Sequence, residues 1–342
     1  MESAHTSANQ SMLVSISNDM EVDMPTPLLE VENLKKYFEV PQGYLHAVDD
    51  VSFSINRNET LGVVGESGCG KSTLGRVVLH LLDSTDGKII FDGEDVTHVR
   101  PVKQKELSGR MQIIFQDPYS SLNPRMTVYQ TISEAMIIAG KLSRNDIKKR
   151  VMELMDTVGL ARRFVNAYPH ELDGGRRQRI GIARALSINP EFIVCDEPVS
   201  ALDVSIQAQI LNLLIDIQTE MGIAYIFITH DLSVVKHISN NILVMYLGQV
   251  VEKVASEELF SNPIHPYTKA LLSAVPVPVV NYNKERILLK GELSSPVNPK
   301  PGCRFAPRCG FSQGKCLTEE PEYKDILPGH AVKCHFAEQF LV

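Results

Sequence analysis

The 342-residue chain lacks any apolar run of the roughly 20 residues that a membrane-spanning helix needs. Its longest apolar stretches, such as residues 242–247, have the length of buried strands. We therefore expect any contact with a membrane to be made through another protein. The chain also lacks a basic excess, since its formal net charge is -7. This balance argues against nucleic acid as the main partner.

Two further features are missing. No internal repeat is present, which argues against tandem copies of one domain. Residues 1–27 lack the basic start and apolar core of a signal peptide, and they are polar and rich in serine and asparagine. This composition predicts a disordered tail, with a short regulatory or docking segment as the alternative. The remaining length suits one domain of about 230 to 250 residues and a smaller appendage.

Residues 65–73 follow the pattern G-x-x-x-x-G-K-[ST] of a phosphate-binding loop. The loop lies between an apolar run over 61–64, which predicts a buried strand, and a stretch over 72–82 that predicts a helix. Backbone amides of such a loop and the helix N-terminus bind phosphates. We therefore predict a nucleoside triphosphate site, with Lys71 at the β and γ phosphates and Ser72 on magnesium. The predicted ATP-binding residues of the loop are Gly65, Glu66, Ser67, Gly68, Cys69, Gly70, Lys71, Ser72 and Thr73.

A second informative segment, residues 192–197, predicts a buried strand that ends in Asp196 and Glu197. Asp196 is placed to hold magnesium, directly or through water, and Glu197 to polarise the attacking water as general base. Two adjacent acids seen alone are also compatible with a solvated strand end. The catalytic interpretation is favoured because a further predicted strand over 225–229 leads directly to His230.

Together with residues 168–179, these segments resemble the nucleotide-binding domains of ABC transporters, in the family's own order. The resemblance implies an α/β fold: a P-loop NTPase core with an antiparallel β subdomain and a helical subdomain over about 119–181. It implies that Gln116 is the Q-loop glutamine, which senses magnesium and the transmembrane partner, and that His230 contacts the γ phosphate. Tyr37 sits where the family stacks an aromatic ring on adenine, with a core aromatic as the alternative. The implied D-loop comprises Ser200, Ala201, Leu202 and Asp203.

The signature segment departs from the family pattern Leu-Ser-Gly-Gly-Gln, because Asp173 replaces the serine before Gly174 and Gly175. An ionised carboxylate cannot donate to the γ phosphate of the opposing subunit. Two like charges about 4 Å apart at an effective dielectric of about 20 repel by roughly 4 kcal/mol, so we expect slower hydrolysis at the site that uses Asp173 unless Arg176, Arg177 or magnesium neutralises it. A structural role is the alternative, because aspartate is a good helix N-cap and could pair with Arg177.

The last part of the chain resembles the C-terminal extension of oligopeptide and dipeptide importer ATPases, through the His-Pro-Tyr sequence of residues 265–267. By length and by residues 120–124, the chain resembles the F-type subunit of the ATPase pair in these importers. The resemblance implies a second homologous ATPase and two transmembrane permease subunits as partners. It also implies an extracytoplasmic substrate-binding protein as an indirect partner, and a peripheral location at the cytoplasmic face of the cell membrane. The expected division is a tail over 1–27, a nucleotide-binding domain over 28–260 and a small Cys-rich C-terminal domain over 261–342.

Four of the six cysteines lie in this extension. A reducing compartment disfavours disulfides, and four thiolates suit either tetrahedral zinc or an iron–sulfur cluster. The resemblance to peptide importers implies a 4Fe-4S cluster, with zinc and unligated or disulfide-bonded cysteines as alternatives. Of the other two, Cys195 is expected in the core, whereas Lys71 and the helix dipole are expected to favour the thiolate of Cys69. The four candidate metal ligands are Cys303, Cys309, Cys316 and Cys334.

The resulting interpretation is an ATPase that closes with a related subunit on ATP and Mg²⁺ and drives a peptide importer. An ATPase of a nickel or metal-chelate importer is one alternative. A soluble ABC protein that remodels a nucleic-acid or ribosome partner is another, but the chain shows neither a second nucleotide domain nor a basic excess. A regulator that binds nucleotide without hydrolysis conflicts with the presence of Glu197 and His230, although Asp173 in the signature keeps it as an alternative.

Overall fold

The computed structural model describes residues 26–275, 286–289, 291 and 295–341. The predicted tail over 1–27 lies outside the described residues apart from its last two positions. Within the described ranges, no helix combines the length and the apolar character needed to cross a membrane.

Strands and helices alternate over most of the chain. The strands are β1 (Leu29–Val40), β2 (Gly43–Ile55), β3 (Thr60–Val64), β4 (Asp86–Phe91), β5 (Glu94–Asp95), β6 (Met111–Ile114), β7 (Phe192–Asp196), β8 (Ala224–Thr229), β9 (Asn241–Tyr246), β10 (Gln249–Ala255), β11 (Tyr323–Leu327) and β12 (His330–Lys333). The helices are α1 (Lys71–Val78), α2 (Pro101–Arg110), α3 (Val128–Ala139), α4 (Arg144–Thr157), α5 (Gly174–Leu186), α6 (Val204–Met221), α7 (Leu232–Ile238), α8 (Ser256–Ser261), α9 (Pro266–Ala274) and α10 (Gly314–Thr318). Short 3₁₀ turns cover Arg162–Phe164, Pro169–Glu171 and Ala337–Phe340.

The strands form two sheets. A four-stranded antiparallel sheet has the order β2-β1-β4-β5, and an eight-stranded mixed sheet has the order β11-β12-β10-β9-β3-β8-β7-β6. Strands β6, β7, β8, β3 and β9 of the large sheet are parallel. The parallel core and the separate antiparallel sheet confirm the predicted α/β fold.

The parallel strands position the functional segments. Every residue of β3, β7 and β8 is buried, as expected for parallel strands covered on both faces. Because neighbouring parallel strands end at the same edge of the sheet, the segments after these three strands come together there. These segments are the glycine-rich loop, the acidic pair and the residues around His230.

Helices α3, α4 and α5 form a helical layer with its own apolar cluster, which includes Ile132, Val151 and Ile180. Helix α3 begins with a capping box in which Thr127 and Gln130 satisfy each other's backbone amides. The Ser143 side chain accepts a hydrogen bond from the backbone of Asp146 at the start of α4. Both helices lie within residues 119–181, the range expected for the helical subdomain.

The C-terminal segment continues the core. Strand β12 pairs with β10, and β11 pairs with β12, so the segment extends the large sheet. Phe305 and Tyr267 belong to the same apolar cluster as Val64 and Tyr246. These two aromatic side chains of the C-terminal segment are therefore buried against residues of the parallel strands.

A buried carboxylate fixes this junction. Glu252 of β10 has no exposed surface and accepts hydrogen bonds from the backbone amides of Ile264 at 2.7 Å and His265 at 3.1 Å. Its Oε1 also lies 2.7 Å from Nε2 of His330 in β12. One side chain thus joins the core strand to two separate segments of the extension.

Candidate functional site

The predicted phosphate-binding loop connects β3 to α1 in a backbone form that only glycine tolerates. Gly65 and Gly70 have φ values of 153° and 105°. A Cβ atom on Gly70 would lie 1.9 Å from the carbonyl oxygen of Ala47, and one on Gly65 would lie 2.2 Å from that of Met245. The loop is therefore pressed against neighbouring backbone on its outer side, which fixes its course at the start of α1.

Lys71 lies almost fully buried beneath this loop. Its ammonium nitrogen donates to the carbonyl oxygens of Gly65 at 2.8 Å and Glu66 at 3.0 Å. The ammonium is thereby held at the loop, where a bound phosphate would compete with these two oxygens for its protons.

Ser72 and Asp196 meet across the end of the sheet. The Ser72 hydroxyl donates to Oδ1 of Asp196 at 2.6 Å, although 124 positions separate the two residues in sequence. Burial raises the pKa of the Asp196 carboxyl, and the hydrogen bond from Ser72 opposes that rise. Two oxygen groups of the kind that Mg²⁺ prefers are thus placed side by side.

The carboxylate of Glu197 contacts the other two predicted catalytic residues, Gln116 and His230. Its Oε2 accepts a hydrogen bond from Nε2 of Gln116 at 2.8 Å and lies 3.3 Å from Nδ1 of His230. Glu197 has a φ of 47°, in the left-handed region, and its backbone amide donates to the carbonyl of Ile228 at 3.0 Å. This turn directs the carboxylate of Glu197 away from the strand and toward Gln116 and His230.

Tyr37 is half-buried and belongs to a polar network. Its ring stacks on that of His46 with centroids 3.9 Å apart, and its hydroxyl donates to the carboxylate of Asp49. Burial raises the pKa of Asp49, but hydrogen bonds from Tyr37 and His46 and the nearby charge of Arg304 lower it, with a net result below its usual value. The orientation of the Tyr37 ring is therefore fixed by a charged carboxylate.

Asp173 caps α5, as the N-cap alternative suggested. Its Oδ1 accepts from the backbone amide of Arg176 at 2.8 Å, and its Oδ2 accepts from the guanidinium of Arg176 at 2.6 Å. The expected side-chain pair with Arg177 is wrong, because that guanidinium donates to the carbonyl of Pro169 and lies over the ring of Tyr119. Arg176 is therefore the cation beside Asp173.

The signature glycines pack against the predicted D-loop. A Cβ atom on Gly174 would lie 3.2 Å from the Leu202 side chain, and one on Gly175 would lie 2.8 Å from that of Ile206. The Ser200 hydroxyl donates to the carbonyl oxygen of Glu197 at 3.1 Å. The predicted signature glycines, the predicted D-loop and the predicted catalytic residue Glu197 thus lie next to one another.

The cysteines of the extension converge. All four are free, and they line one cavity of about 20 Å³ whose wall also contains aromatic side chains. Burial raises the pKa of the Cys303 thiol to about 11 and also raises those of two others. Across the described ranges, no group of three or more His, Cys, Asp or Glu residues is arranged to hold a metal ion. The predicted metal centre therefore stays a prediction. The cysteines that line the cavity are Cys303, Cys309, Cys316 and Cys334.

The two remaining cysteines lie in the core. Cys195 of β7 is fully buried, as predicted. The expectation that Cys69 favours the thiolate is wrong, because burial raises the pKa of its thiol and outweighs the nearby charge of Lys71. Desolvation is thus the dominant effect at this position.

Sequence reasoning missed three residues of the extension that reach the loop and the Tyr37 network. The guanidinium of Arg308 donates to both carboxylate oxygens of Glu66, at 2.6 and 3.0 Å. The hydroxyl of Tyr267 accepts from the backbone amide of Glu66 at 2.9 Å. Arg304 donates to the carboxylate of Asp49. The sequence did offer one signal, because two arginines lie between Cys303 and Cys309 and a metal site built from the cysteines gives no reason for them.

Comparison with protein families gives two matches. The ABC transporter family matches residues 48–200, and the C-terminal region of oligopeptide and dipeptide transporters matches residues 251–316.

Several curated proteins are similar along most of their length. The chain is 49% identical to the oligopeptide transport ATP-binding protein AppF of Bacillus subtilis, over 90% of this chain and 97% of that protein. It is 47% identical to the dipeptide transport ATP-binding protein DppF of Haemophilus influenzae, over 92% and 98%. It is 50% identical to the oligopeptide transport ATP-binding protein OppF of Salmonella typhimurium, over 90% and 95%.

Solved structures are similar over the nucleotide-binding core. CbiO1 from Clostridium perfringens, part of the ABC transporter complex cbiONQ, superposes with a TM-score of 0.62 at 31% identity, covering 69% of this chain and 91% of that one. The dimeric post-hydrolysis structure of the ATP-binding cassette MJ0796 with ADP and Pi gives a TM-score of 0.62 at 28% identity, covering 67% and 98%.

Proposed function

The chain belongs to the ATP-binding subunits of oligopeptide and dipeptide ABC transporters, and from this premise we propose that it hydrolyses ATP to power the import of oligopeptides or dipeptides. One observation carries the catalytic part of the proposal. Gln116 and His230 converge on the carboxylate of Glu197, beside the pair formed by Ser72 and Asp196.

The proposed roles are based on the geometry. Lys71 and the amides of the loop bind the β and γ phosphates, and Ser72 and Asp196 hold Mg²⁺, which neutralises phosphate charge when bound. Because the amide nitrogen of Gln116 donates to Glu197, its side-chain oxygen is the atom left for the metal. Glu197 takes the proton of the attacking water, and His230 contacts the γ phosphate. Phosphoryl transfer to water needs mainly positioning and charge stabilisation, which this set supplies.

The functional unit proposed is a pair of ATPases at the cytoplasmic face of the membrane. The partners are a second homologous ATPase and two transmembrane permease subunits, with an extracytoplasmic substrate-binding protein as an indirect partner. Each ATP lies between the phosphate loop of one subunit and the signature of the other. This chain supplies a complete loop, Glu197 and His230 to one site and the acidic signature around Asp173 to the other. The first site is therefore the faster one.

Substitution of Glu197 tests the assignment of the base. Glu197→Gln keeps the size of the side chain, so ATP binding is retained. Because glutamine cannot accept the proton of water, turnover falls by roughly 10²- to 10⁴-fold. The measurement is phosphate release by the assembled transporter, with equilibrium binding of ATP as the control. Hydrolysis at the wild-type rate would assign the base elsewhere.

The cysteine cavity is proposed to hold a 4Fe-4S cluster, with zinc as the alternative. Four free thiols around one cavity are a donor set that suits such a cluster, and they support the small Cys-rich unit expected over 261–342 beside the domain over 28–260. The cavity volume of about 20 Å³ is that of a single water molecule, so the cage must widen to admit a cluster.

Metal analysis of anaerobically purified protein tests this assignment. A cluster gives about four irons and four sulfides per chain and a broad absorption band near ~400 nm, all lost in Cys309→Ser. Zinc in place of iron would support the alternative. Protein without metal, isolated with an intact fold, would remove the cluster from the proposal and leave the ATPase assignment unchanged.

A further inference from the structure

The loop of residues 303–309, bounded by two of the cavity cysteines, touches the ATP site at both ends. We call it the cysteine-bounded loop. Its two arginines point into the nucleotide-binding core and not into solvent, since the side chains of Arg304 and Arg308 are 7% and 10% exposed. Neither arginine belongs to the set of residues assigned above to phosphates, magnesium or water.

Arg308 holds the phosphate-binding loop through Glu66. Its two terminal guanidinium nitrogens donate to the two carboxylate oxygens of Glu66, a paired geometry that fixes the orientation of the side chain as well as its position. The backbone of Glu66 is held by the extension too, because its amide donates to the hydroxyl of Tyr267. The carbonyl of the same residue accepts from Lys71. The extension is therefore linked to the phosphate-binding lysine through one residue.

The charge of Glu66 explains why this contact matters for a nucleotide. The loop must accept a triphosphate, and an unpaired carboxylate on it would repel the phosphate oxygens. Glu66 is about 29% exposed, so solvent screens part of its charge and Arg308 neutralises the rest. Loss of Arg308 would leave a negative charge on the loop that binds negative charge.

Arg304 acts at the other end of the site. It donates to the carboxylate of Asp49 and to the carbonyl oxygen of Leu247. Asp49 in turn accepts from the hydroxyl of Tyr37 and lies 2.9 Å from Nδ1 of His46. The guanidinium therefore helps to fix the carboxylate that orients the predicted adenine-stacking ring.

We propose that Arg308 and Arg304 are positioning residues for ATP, through which the extension shapes the nucleotide site of its own chain. Arg308 acts at the phosphates through Glu66, and Arg304 acts at the base through Asp49 and Tyr37. The inference rests on the proposed function, because it takes the loop over 65–73 as the ATP site. Neither arginine touches the reacting atoms.

Equilibrium binding of Mg·ATP to the full-length chain tests the proposal. Arg308→Met weakens binding roughly tenfold, a change of about 1.4 kcal/mol, because it uncovers the carboxylate of Glu66. Glu66→Gln suppresses this loss, since no charge is left to neutralise, so Arg308→Met has little further effect in that background. In the assembled transporter, KM rises while kcat changes little. Lys315→Met is the matched control, because it removes an exposed cation of the same extension that pairs only weakly with Glu319, at 3.7 Å.

A second probe separates the two arginines. Mg·tripolyphosphate carries the phosphates without the base. Arg308→Met therefore weakens its binding as it weakens that of Mg·ATP, whereas Arg304→Met weakens Mg·ATP alone. If a methionine variant fails to fold, Arg308→Gln and Arg304→Gln give the same comparisons, because glutamine removes the positive charge while keeping a polar side chain with hydrogen-bond donors.

Three results would overturn the inference: unchanged binding by folded Arg308 variants, an equal loss in the Glu66→Gln background, or an equal loss in Lys315→Met. Failure of the wild-type chain to bind Mg·ATP would instead refute the proposed function. The two failures are therefore distinguishable in one set of titrations.

Discussion

In the proposed pair of ATPases, Asp173 places a carboxylate at the position where a serine hydroxyl would face the partner's ATP. The structure gives this charge a neighbour, because the guanidinium of Arg176 lies 2.6 Å from Oδ2. Both side chains are largely exposed, so water screens the pair and much of the repulsion toward phosphate is removed. Screening reduces the effect of the charge, but it does not supply the hydrogen-bond donor that the carboxylate lacks.

Restoring the donor should therefore accelerate the slower site. Asp173→Ser is expected to raise ATP turnover of the assembled transporter about two- to fivefold, equivalent to roughly 0.4 to 1 kcal/mol. Asp173→Asn serves as a matched variant, since it removes the charge and supplies amide donors while keeping the size. Arg176→Gln should slow turnover by uncovering the carboxylate. Equal turnover in Asp173→Ser and wild type would leave Asp173 with its capping role alone.

At the scale of elements, a single side chain of β10 joins the C-terminal segments to the large sheet. Glu252 is buried without exposed surface, and it satisfies two backbone donors and His330 at once. A carboxylate can accept all three hydrogen bonds, whereas an amide offers one oxygen and turns its own donors toward the other groups. The docking of α9 and β12 therefore depends on an acceptor-only side chain.

Glu252→Gln is expected to lower the free energy of unfolding by about 1 to 3 kcal/mol, because at least one buried donor loses its acceptor. Urea unfolding at neutral pH measures the change, and hydrogen exchange at the amides of β12 should rise first. Glu257→Gln, at an exposed position of α8, is the control and should change stability by no more than about 0.5 kcal/mol. Equal effects of the two substitutions would show that the carboxylate of Glu252 does not stabilise the docking of the C-terminal segments.

These elements also show how far the sequence could predict the fold. The strands that flank the glycine-rich loop and the acidic pair were predictable, because their apolar runs are continuous and each is joined directly to a recognisable motif. Strands β11 and β12 were not, because they are short, and β12 joins β10 across most of the extension. The pair of Arg308 with Glu66 spans 242 positions, and no local periodicity reports such a contact. Charge partners across the fold were consequently missed. Arg176 and Arg177 were both predicted as cations near Asp173, and the structure pairs Asp173 with Arg176.

At the scale of the whole molecule, the extension and the nucleotide-binding core share one sheet and one apolar cluster. Tyr246 of β9, Tyr267 of α9 and Phe305 of the cysteine-bounded loop form mutual edge-to-face and tilted ring contacts, with centroids 4.8 to 5.4 Å apart. Such contacts stabilise beyond the area they bury. The core strands β9 and β10 are thus covered by residues that arrive from the far end of the chain.

Removal of residues 261–342 is therefore expected to destabilise the nucleotide-binding core itself. It removes the rings of Tyr267 and Phe305 from Tyr246 and leaves Glu252 without its three donors. Uncovering a buried apolar side chain costs about 1.5 to 3 kcal/mol, which is a large share of a typical domain stability of roughly 5 to 15 kcal/mol. Thermal unfolding with light scattering should show a lower midpoint and aggregation for the truncated chain. Removal of residues 1–25 is the control and should leave the midpoint unchanged. A truncated chain that unfolds cooperatively at the full-length midpoint would mean that β10 does not need its C-terminal cover, and that the core is an independent domain.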